Sequence, residues 1–318
     1  MAEDRIDNRV TRLLGVRYPI VQAPMGWIAR ARLASAVSNA GAMGIIETAS
    51  GELDAIRDEI RLMRTLTDRP FGVNIALAYV RDPGIVRFVV DQGVRFVTTS
   101  AGDPTRYCAE LKAAGLTVFH VVPTLKGALK AVEAGVDGLI VEGGEGGGFK
   151  NPREVASMVL LPLVCSKVDV PVIAAGGFCD GPSMAAAFAL GAEGVQMGTR
   201  MLSAAESPVH DNWKRAIVDA TETDTVFLNR AGPGPALRAL RTARTTRLEQ
   251  AIPEGGVRGE FARVRDLYFG GDMEAAVALS GQVCGRIESV EPVAAIVAST
   301  VAGFRSTVSG MARRYATD

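Results

Sequence analysis

The chain holds very little histidine: two residues in 318, His120 and His210. Its four cysteines, Cys108, Cys165, Cys179 and Cys284, are scattered with no C-x-x-C pair among them. That spacing excludes a zinc ribbon and a disulfide scaffold, so the thiols are expected to be buried and free, with no metal site. Net charge is missing as well, because 35 basic residues balance 35 acidic ones. Without a dense Lys/Arg block, neither nucleic acid nor an anionic membrane is an expected partner. No apolar run reaches the roughly 18 residues of a membrane span, and Met1 to Arg9 alternates charges where a signal peptide would carry an apolar core. The expectation is a cytoplasmic protein whose partner is a small molecule, with self-association left open.

What is present is apolar and periodic. Hydrophobic residues make up 48% of the chain, enough for one large α/β core. Short β-branched runs alternate with Ala-rich amphipathic stretches, the pattern of a parallel sheet with returning helices. Eight candidate strands follow: Pro19 to Gln22, Met43 to Ile46, Gly72 to Ile75, Arg95 to Thr98, Thr117 to Val121, Gly138 to Val141, Val172 to Ala175 and Gly194 to Met197. Four intervening helices close on the same signal, in Asn39-Ala40-Gly41, Asp91-Gln92-Gly93, Glu133-Ala134-Gly135 and Ala189-Leu190-Gly191. A glycine at that place is a helix C-terminus just ahead of a strand. Eight units point to a (β/α)8 TIM barrel, ahead of a doubly wound open sheet.

After Thr199 the rhythm stops. Residues 221–272 are read as a mostly helical or irregular lid inserted after the eighth strand, with no strand pattern between Asn229 and Gly259. Residues 1–220 and 273–318 are read as the barrel and its closing helix. Arg238, Arg241, Arg244 and Arg247 recur every third residue, which predicts one charged helical face and raises the option of a clamp for a phosphorylated carrier.

In a barrel, function collects behind the C-terminal ends of the strands. Behind the seventh and eighth lie Gly176-Gly177 and Gly198-Thr199, two glycine-bared turns that lead into helices, a grip for phosphate. Asn74 and Ser100 add uncharged hydrogen-bonding groups suited to a planar heteroaromatic ligand. Behind the sixth comes Glu142-Gly143-Gly144-Glu145-Gly146-Gly147-Gly148-Phe149-Lys150, with five glycines in nine residues. So much glycine after a buried strand implies close backbone approach or a ligand lying against the loop. Together these groups suggest a mononucleotide cofactor.

The motifs Gln22-Ala23-Pro24-Met25-Gly26, Pro70-Phe71-Gly72-Val73-Asn74, Glu145-Gly146-Gly147-Gly148, Ala174-Ala175-Gly176-Gly177-Phe178, Met197-Gly198-Thr199-Arg200 and Ser280-Gly281-Gln282 resemble, in order and over nearly the whole chain, the nitronate monooxygenase family, formerly the 2-nitropropane dioxygenases. The resemblance implies a barrel with non-covalent FMN. Gly176, Gly177, Gly198 and Thr199 would hold its phosphate, and Ala23, Pro24, Met25 and Asn74 would lie along the isoalloxazine ring. Gln282 would approach the mouth, and Gly26, Ser100, Glu142, Gly147 and Gly148 would complete the rim. The implied activity is oxidation of alkyl nitronates with O2. The alternative within the same family is an NAD(P)H-dependent reductase or dehydrogenase acting on an enoyl- or CoA-thioester or a quinone.

One departure bears on mechanism. Where the family places a histidine facing the flavin, this chain has Phe149, which cannot transfer a proton. His120, closing the fifth strand, and the carboxylates Glu142 and Glu145 are the candidates to replace it. His210 reads as structural, and Lys150 is set aside because adjacent residues in an extended segment point to opposite sides.

Overall fold

All eight expected strands form, each within two residues of its anticipated ends: β1 Ile20–Gln22, β2 Gly44–Ile46, β3 Phe71–Ala76, β4 Phe96–Ser100, β5 Thr117–Val122, β6 Gly138–Glu142, and then, beyond one short extra strand, β7 Gly148–Lys150, the last two, β8 Val172–Ala175 and β9 Gly194–Met197. They are seen in a computed structural model that describes residues 4–253 and 256–316. Met1 to Glu3 of the charged N-terminus and Gly255 of the insertion lie outside the described residues. The eight strands are parallel, in the order β1-β9-β8-β6-β5-β4-β3-β2. Hydrogen bonds from Met43 N to Ile20 O (2.9 Å) and from Gln22 N to Met43 O (3.0 Å) bring the two edges together, making a (β/α)8 barrel. Closure leaves no exposed edge, and the apolar runs are continuous because both faces of each strand are buried.

The four helix-ending glycines behave as their motif requires: Gly41, Gly93, Gly135 and Gly191 all have φ between 64° and 96°. A left-handed residue there turns the chain sharply into the next strand.

The barrel interior is filled by Val21, Met43, Ile45, Phe96, Phe119, Ile140 and Ile173. Its floor is plugged by Val10 and Leu14 of the helix Arg9–Leu14, which Asn8 caps by accepting from Thr11 N. Phe96 and Phe119 meet edge to face, with centroids 5.4 Å apart. They fit because the facing strands give up side chains. A Cβ on Gly72 would lie 2.6 Å from the Phe96 ring, and one on Gly138 would collide with the edge of the Phe119 ring.

The insertion is helical over Ala243–Gln250 and Val264–Tyr268, but the expectation that 229–259 holds no strand is corrected here. β10 Thr225–Leu228 and β11 Ala236–Leu240 form an antiparallel hairpin, and β11 pairs in turn with β7. This three-stranded sheet ties the loop after β6 to the lid. The C-terminal helix Val293–Tyr315 then returns across the barrel. By length and composition it is the one helix among the described residues that would suffice to cross a membrane. Its inner face, Val293, Ile296, Val297, Thr300 and Val301, is buried, and Gly303 meets Gly181 backbone to backbone.

If the two interior phenylalanines depend on glycine opposite them, Gly138→Ala overpacks the barrel. Urea unfolding should show a loss of about 1–3 kcal/mol, and adding Phe119→Leu should recover part of it.

Candidate functional site

Side-chain parity along each strand decides what reaches the open end of the barrel. In β3, Val73 and Ile75 pack outward among the helices, so Asn74 faces inward; in β4, Val97 packs outward and Phe96 inward, so Thr98 and Ser100 face inward. In β6, Ile140 belongs to the interior and Glu142 shares its side. In β9, Val195 and Met197 pack outward and leave Gln196 inside. Asn74, Ser100, Glu142 and Gln196 therefore converge on one mouth. Asn74 Nδ2 donates to Thr98 Oγ1 (2.9 Å) and lies 3.3 Å from Ser100 Oγ, so a small amide–hydroxyl network holds that edge in place. Gln196 Oε1 is buried with no hydrogen-bond partner among the described residues. A buried acceptor left unpaired is costly, which marks the place where a ligand donor belongs.

The loops around this mouth are held by backbone-to-backbone packing. A Cβ on Gly147 would meet Ser280 C at 2.6 Å, and one on Gly176 would meet Gly143 O at 2.7 Å. The C-terminal segment seals the arrangement. Gln282 N donates to Glu145 O (2.9 Å), and Gly281 N donates to Thr199 Oγ1 (2.9 Å). Gly176 and Gly177 have φ of 80° and 91°, a turn that L side chains rarely adopt. Gly198 has open space, its Cβ position meeting only Ala23 Cβ at 3.6 Å. Gly176, Gly177, Gly198 and the ledge Ala23-Pro24-Met25-Gly26 are all partly exposed beside fully buried neighbours, and the Gln282 side chain is exposed. The residues anticipated as cofactor ligands thus lie around the open end of the barrel. They offer glycine backbone at one corner, an apolar ledge, and polar groups on the wall. Those features fit the flavin that such a site could hold, and the unpaired Gln196 Oε1 is an acceptor on that wall.

The candidate acids and bases sort differently. His120 lies on the far side of its strand. Phe119 and Val121 take the interior, while His120 shares the outer face with Val118 and Val122, its Nδ1 2.7 Å from Thr99 Oγ1. Burial pushes its pKa down from 6.5 to about 4, against the opposing pull of Asp103 and of the Gly102 backbone. It is a neutral ring in the helix layer, turned away from the mouth. Glu145 is occupied as a cap: its carboxylate accepts from Ser157 N (2.9 Å) and Ser157 Oγ (2.8 Å) at the start of the helix Ser157–Cys165. His210 accepts from Asn212 N at 3.1 Å and caps the helix Asp211–Val218.

Phe149 is 41% exposed and stands between Tyr79 and Phe261, with centroids 5.8 and 5.6 Å away. Lys150 turns the opposite way, as strand parity requires, and is buried against the Glu142 carboxylate. Sequence reasoning passed over Lys150 for that same parity and did not single out Gln196, although its place between outward Val195 and Met197 was readable. The arginine row is corrected. Arg238 sits in β11, where it donates to Gly144 O (2.6 Å) and Glu154 (2.7 Å). Arg241 pairs with Glu249, Arg244 with Glu260 and Arg247 with Glu274. Arg238 ties its strand to the loop after β6, and the other three pair with carboxylates of the insertion or just beyond it.

A family model for nitronate monooxygenases matches residues 7–83 and 78–303. The chain belongs to the nitronate monooxygenase family. Membership makes it an oxidoreductase and implies a flavin cofactor. Within curated proteins it is similar to a (3aS,4S,5R,7aS)-5-hydroxy-7a-methyl-1-oxo-octahydro-1H-indene-4-carboxyl-CoA dehydrogenase of Rhodococcus jostii, at 40% identity over 81% of this chain and 71% of the relative. Among solved structures, FabK from Thermotoga maritima matches with a TM-score of 0.90 and 39% identity, over 96% of this chain and 98% of that one. A nitroalkane oxidase from Streptomyces ansochromogenes matches with a TM-score of 0.82 and 28% identity, over 94% and 99%.

His120 also sets a pH dependence. Its folded pKa is depressed, so the unfolded chain takes up a proton first as pH falls. The stability it confers is complete above about 6.5 and is lost as pH falls toward about 4. Over that window the loss should approach about 3 kcal/mol. His120→Gln should flatten this part of a chemical-denaturation pH series and leave turnover at neutral pH within about twofold. A large loss of turnover in correctly folded protein would return His120 to the chemistry.

Proposed function

We propose that the chain is an FMN-dependent oxidoreductase that exchanges hydride with a CoA thioester carrying an apolar, ring-bearing acyl group, with NAD(P)H as the second partner. The observation that carries this reading is the aromatic wall at the mouth. Where a histidine would face the cofactor by family resemblance, Phe149 stands with Tyr79 and Phe261 in a cluster contributed by three separate segments. Such a wall desolvates and orients a flat hydrocarbon surface, each ring contact contributing about 0.5–1.5 kcal/mol beyond area burial. The identity with the indene-carboxyl-CoA dehydrogenase supports the same substrate class.

The residues divide the work accordingly. Backbone N–H groups at Gly176, Gly177, Gly198 and Thr199 would hold the phosphate, the ledge Ala23-Pro24-Met25 would flank the ring, and Asn74, Ser100 and Gln196 would meet its polar edge. The bound flavin supplies a two-electron hydride acceptor and donor. The protein's part is to fix the acyl group against that wall, to exclude water beneath the sheet of β7, β11 and β10, and to keep the ionised pair Glu142–Lys150 at the mouth.

A second reading, oxidation of alkyl nitronates with O2, is favoured by the position of His120 in the helix layer. A nitronate arrives already deprotonated and needs no base, whereas a neutral nitroalkane does.

The discriminating experiment is the visible spectrum of the purified protein, followed by anaerobic mixing with NADH, NADPH, a propyl nitronate and a polycyclic acyl-CoA in turn. Bleaching by a pyridine nucleotide or by the acyl-CoA supports the first reading, and bleaching by nitronate alone supports the second. A colourless protein that takes up no added FMN overturns both. If the aromatic wall holds the acyl ring, Phe149→Ala should raise KM for the acyl-CoA about tenfold, the scale of one lost ring contact. Flavin content should not change.

A further inference from the structure

Lys150 is a buried cation with fewer partners than burial demands. Its side chain is 4% exposed, and among the described residues its Nζ has one acceptor, the Glu142 carboxylate. An ammonium carries three N–H donors, so two are left over. A buried charge is poorly tolerated unless its hydrogen-bonding capacity is met. The remaining N–H groups call for an acceptor that none of the described residues supplies.

The surroundings keep that direction open. A Cβ on Gly146 would lie 2.7 Å from Lys150 Nζ and 2.9 Å from Glu142 Oε1, so any side chain at that loop position would cover the pair. Glu142 rises from the inward face of β6 into the mouth, and the pairing of Lys150 with Ala236 of β11 fixes the lysine backbone against the lid. The same pairing turns the neighbouring Phe149 outward, so the ammonium and the phenyl ring serve opposite sides of one strand.

We propose that Lys150 is a catalytic residue of the flavin site: aimed by Glu142, its ammonium donates to the bound flavin and stabilises the negative charge that reduction places there. This rests on the flavin reading of the site. The balance is simple. A C–H bond of the hydride donor breaks, two electrons and one proton pass to the flavin, and the donor is oxidised. One negative charge is added at the cofactor, and Lys150 remains protonated while it offsets that charge. Charges beside a flavin tune its electronics, and their influence is large where water is excluded. Glu142 is a positioning residue, and its own charge opposes the effect of the lysine.

The two charges therefore make opposite predictions for one measurable quantity. Full-length protein loaded with FMN is titrated reductively against a reference dye, as wild type, Lys150→Met, Glu142→Gln and the double variant. The midpoint potential should move negative in Lys150→Met and positive in Glu142→Gln, and should return close to wild type in the double variant. A bridge that only held the loop would leave the potentials unmoved or shift both single variants the same way, and either result overturns the assignment. Should Lys150→Met fail to retain flavin, Glu142→Gln decides alone: a positive shift supports the proposal, and no shift overturns it. Wild-type protein that takes up no flavin overturns the cofactor reading as well. Flavin-loaded wild type with unmoved variants overturns the role of Lys150 alone.

Discussion

The contact on which the site depends is one of backbone on backbone. The loop after β6 is pressed between Gly176 on one side and Ser280-Gly281 on the other, at separations where a single methyl group would collide with carbonyl or amide atoms. The loop packs this closely for lack of side chains, since nothing intervenes. It also draws three distant parts of the chain into register: the end of β8, the C-terminal segment through Gln282, and the lid through Arg238, which donates to Gly144 O. Arg238 is buried, and its charge is met by Glu154 together with that carbonyl. Removing Glu154, which Arg230 also pairs with, would strand the buried Arg238 charge there, so lid and loop are coupled through an interaction costly to break.

The barrel was legible in the sequence because parallel strands buried on both faces are written as unbroken apolar runs and close on glycine-ended helices. The lid was not, for the opposite reason. β7 is Gly-Phe-Lys, with no apolar pattern, and β11 places Arg238 at a buried position, where the charge disguises a strand. The three-residue spacing of arginines from 238 to 247 matches a helix, yet it straddles a strand, a turn and the helix Ala243–Gln250. What makes Ala236–Leu240 a strand is its two partners, β10 and β7, and neither is visible locally. Tertiary pairing overrides local preference here.

The position of His120 exposes a different limit. A strand buried on both faces gives no polar alternation to mark its inner side, so a residue near its C-terminal end can be assigned to the mouth when it belongs to the helix layer. Parity in β5 is set by packing at the strand's middle. Phe119 enters the barrel because Gly138 on β6 leaves room for its ring, and that choice sends His120 outward to Thr99. A glycine on the neighbouring strand thus decides whether a histidine can touch a cofactor. For Asn74 no such ambiguity arose, because the motif around it supplied the orientation that periodicity could not.

The pairing of β7 with β11 makes the same kind of decision for the chemistry. With Leu237 opposite Phe149 and Ala236 opposite Lys150, the phenyl ring joins Tyr79 and Phe261 at the surface of the mouth while the ammonium is buried on Glu142. A slip of one residue would exchange them, burying the ring against a carboxylate and turning the cation out to solvent. Arg238 opposes such a slip, because from the adjacent β11 position it donates to Gly144 O, on the same loop that β7 ends. The register therefore sets contact and charge on two neighbouring residues, held on opposite sides of a three-residue strand.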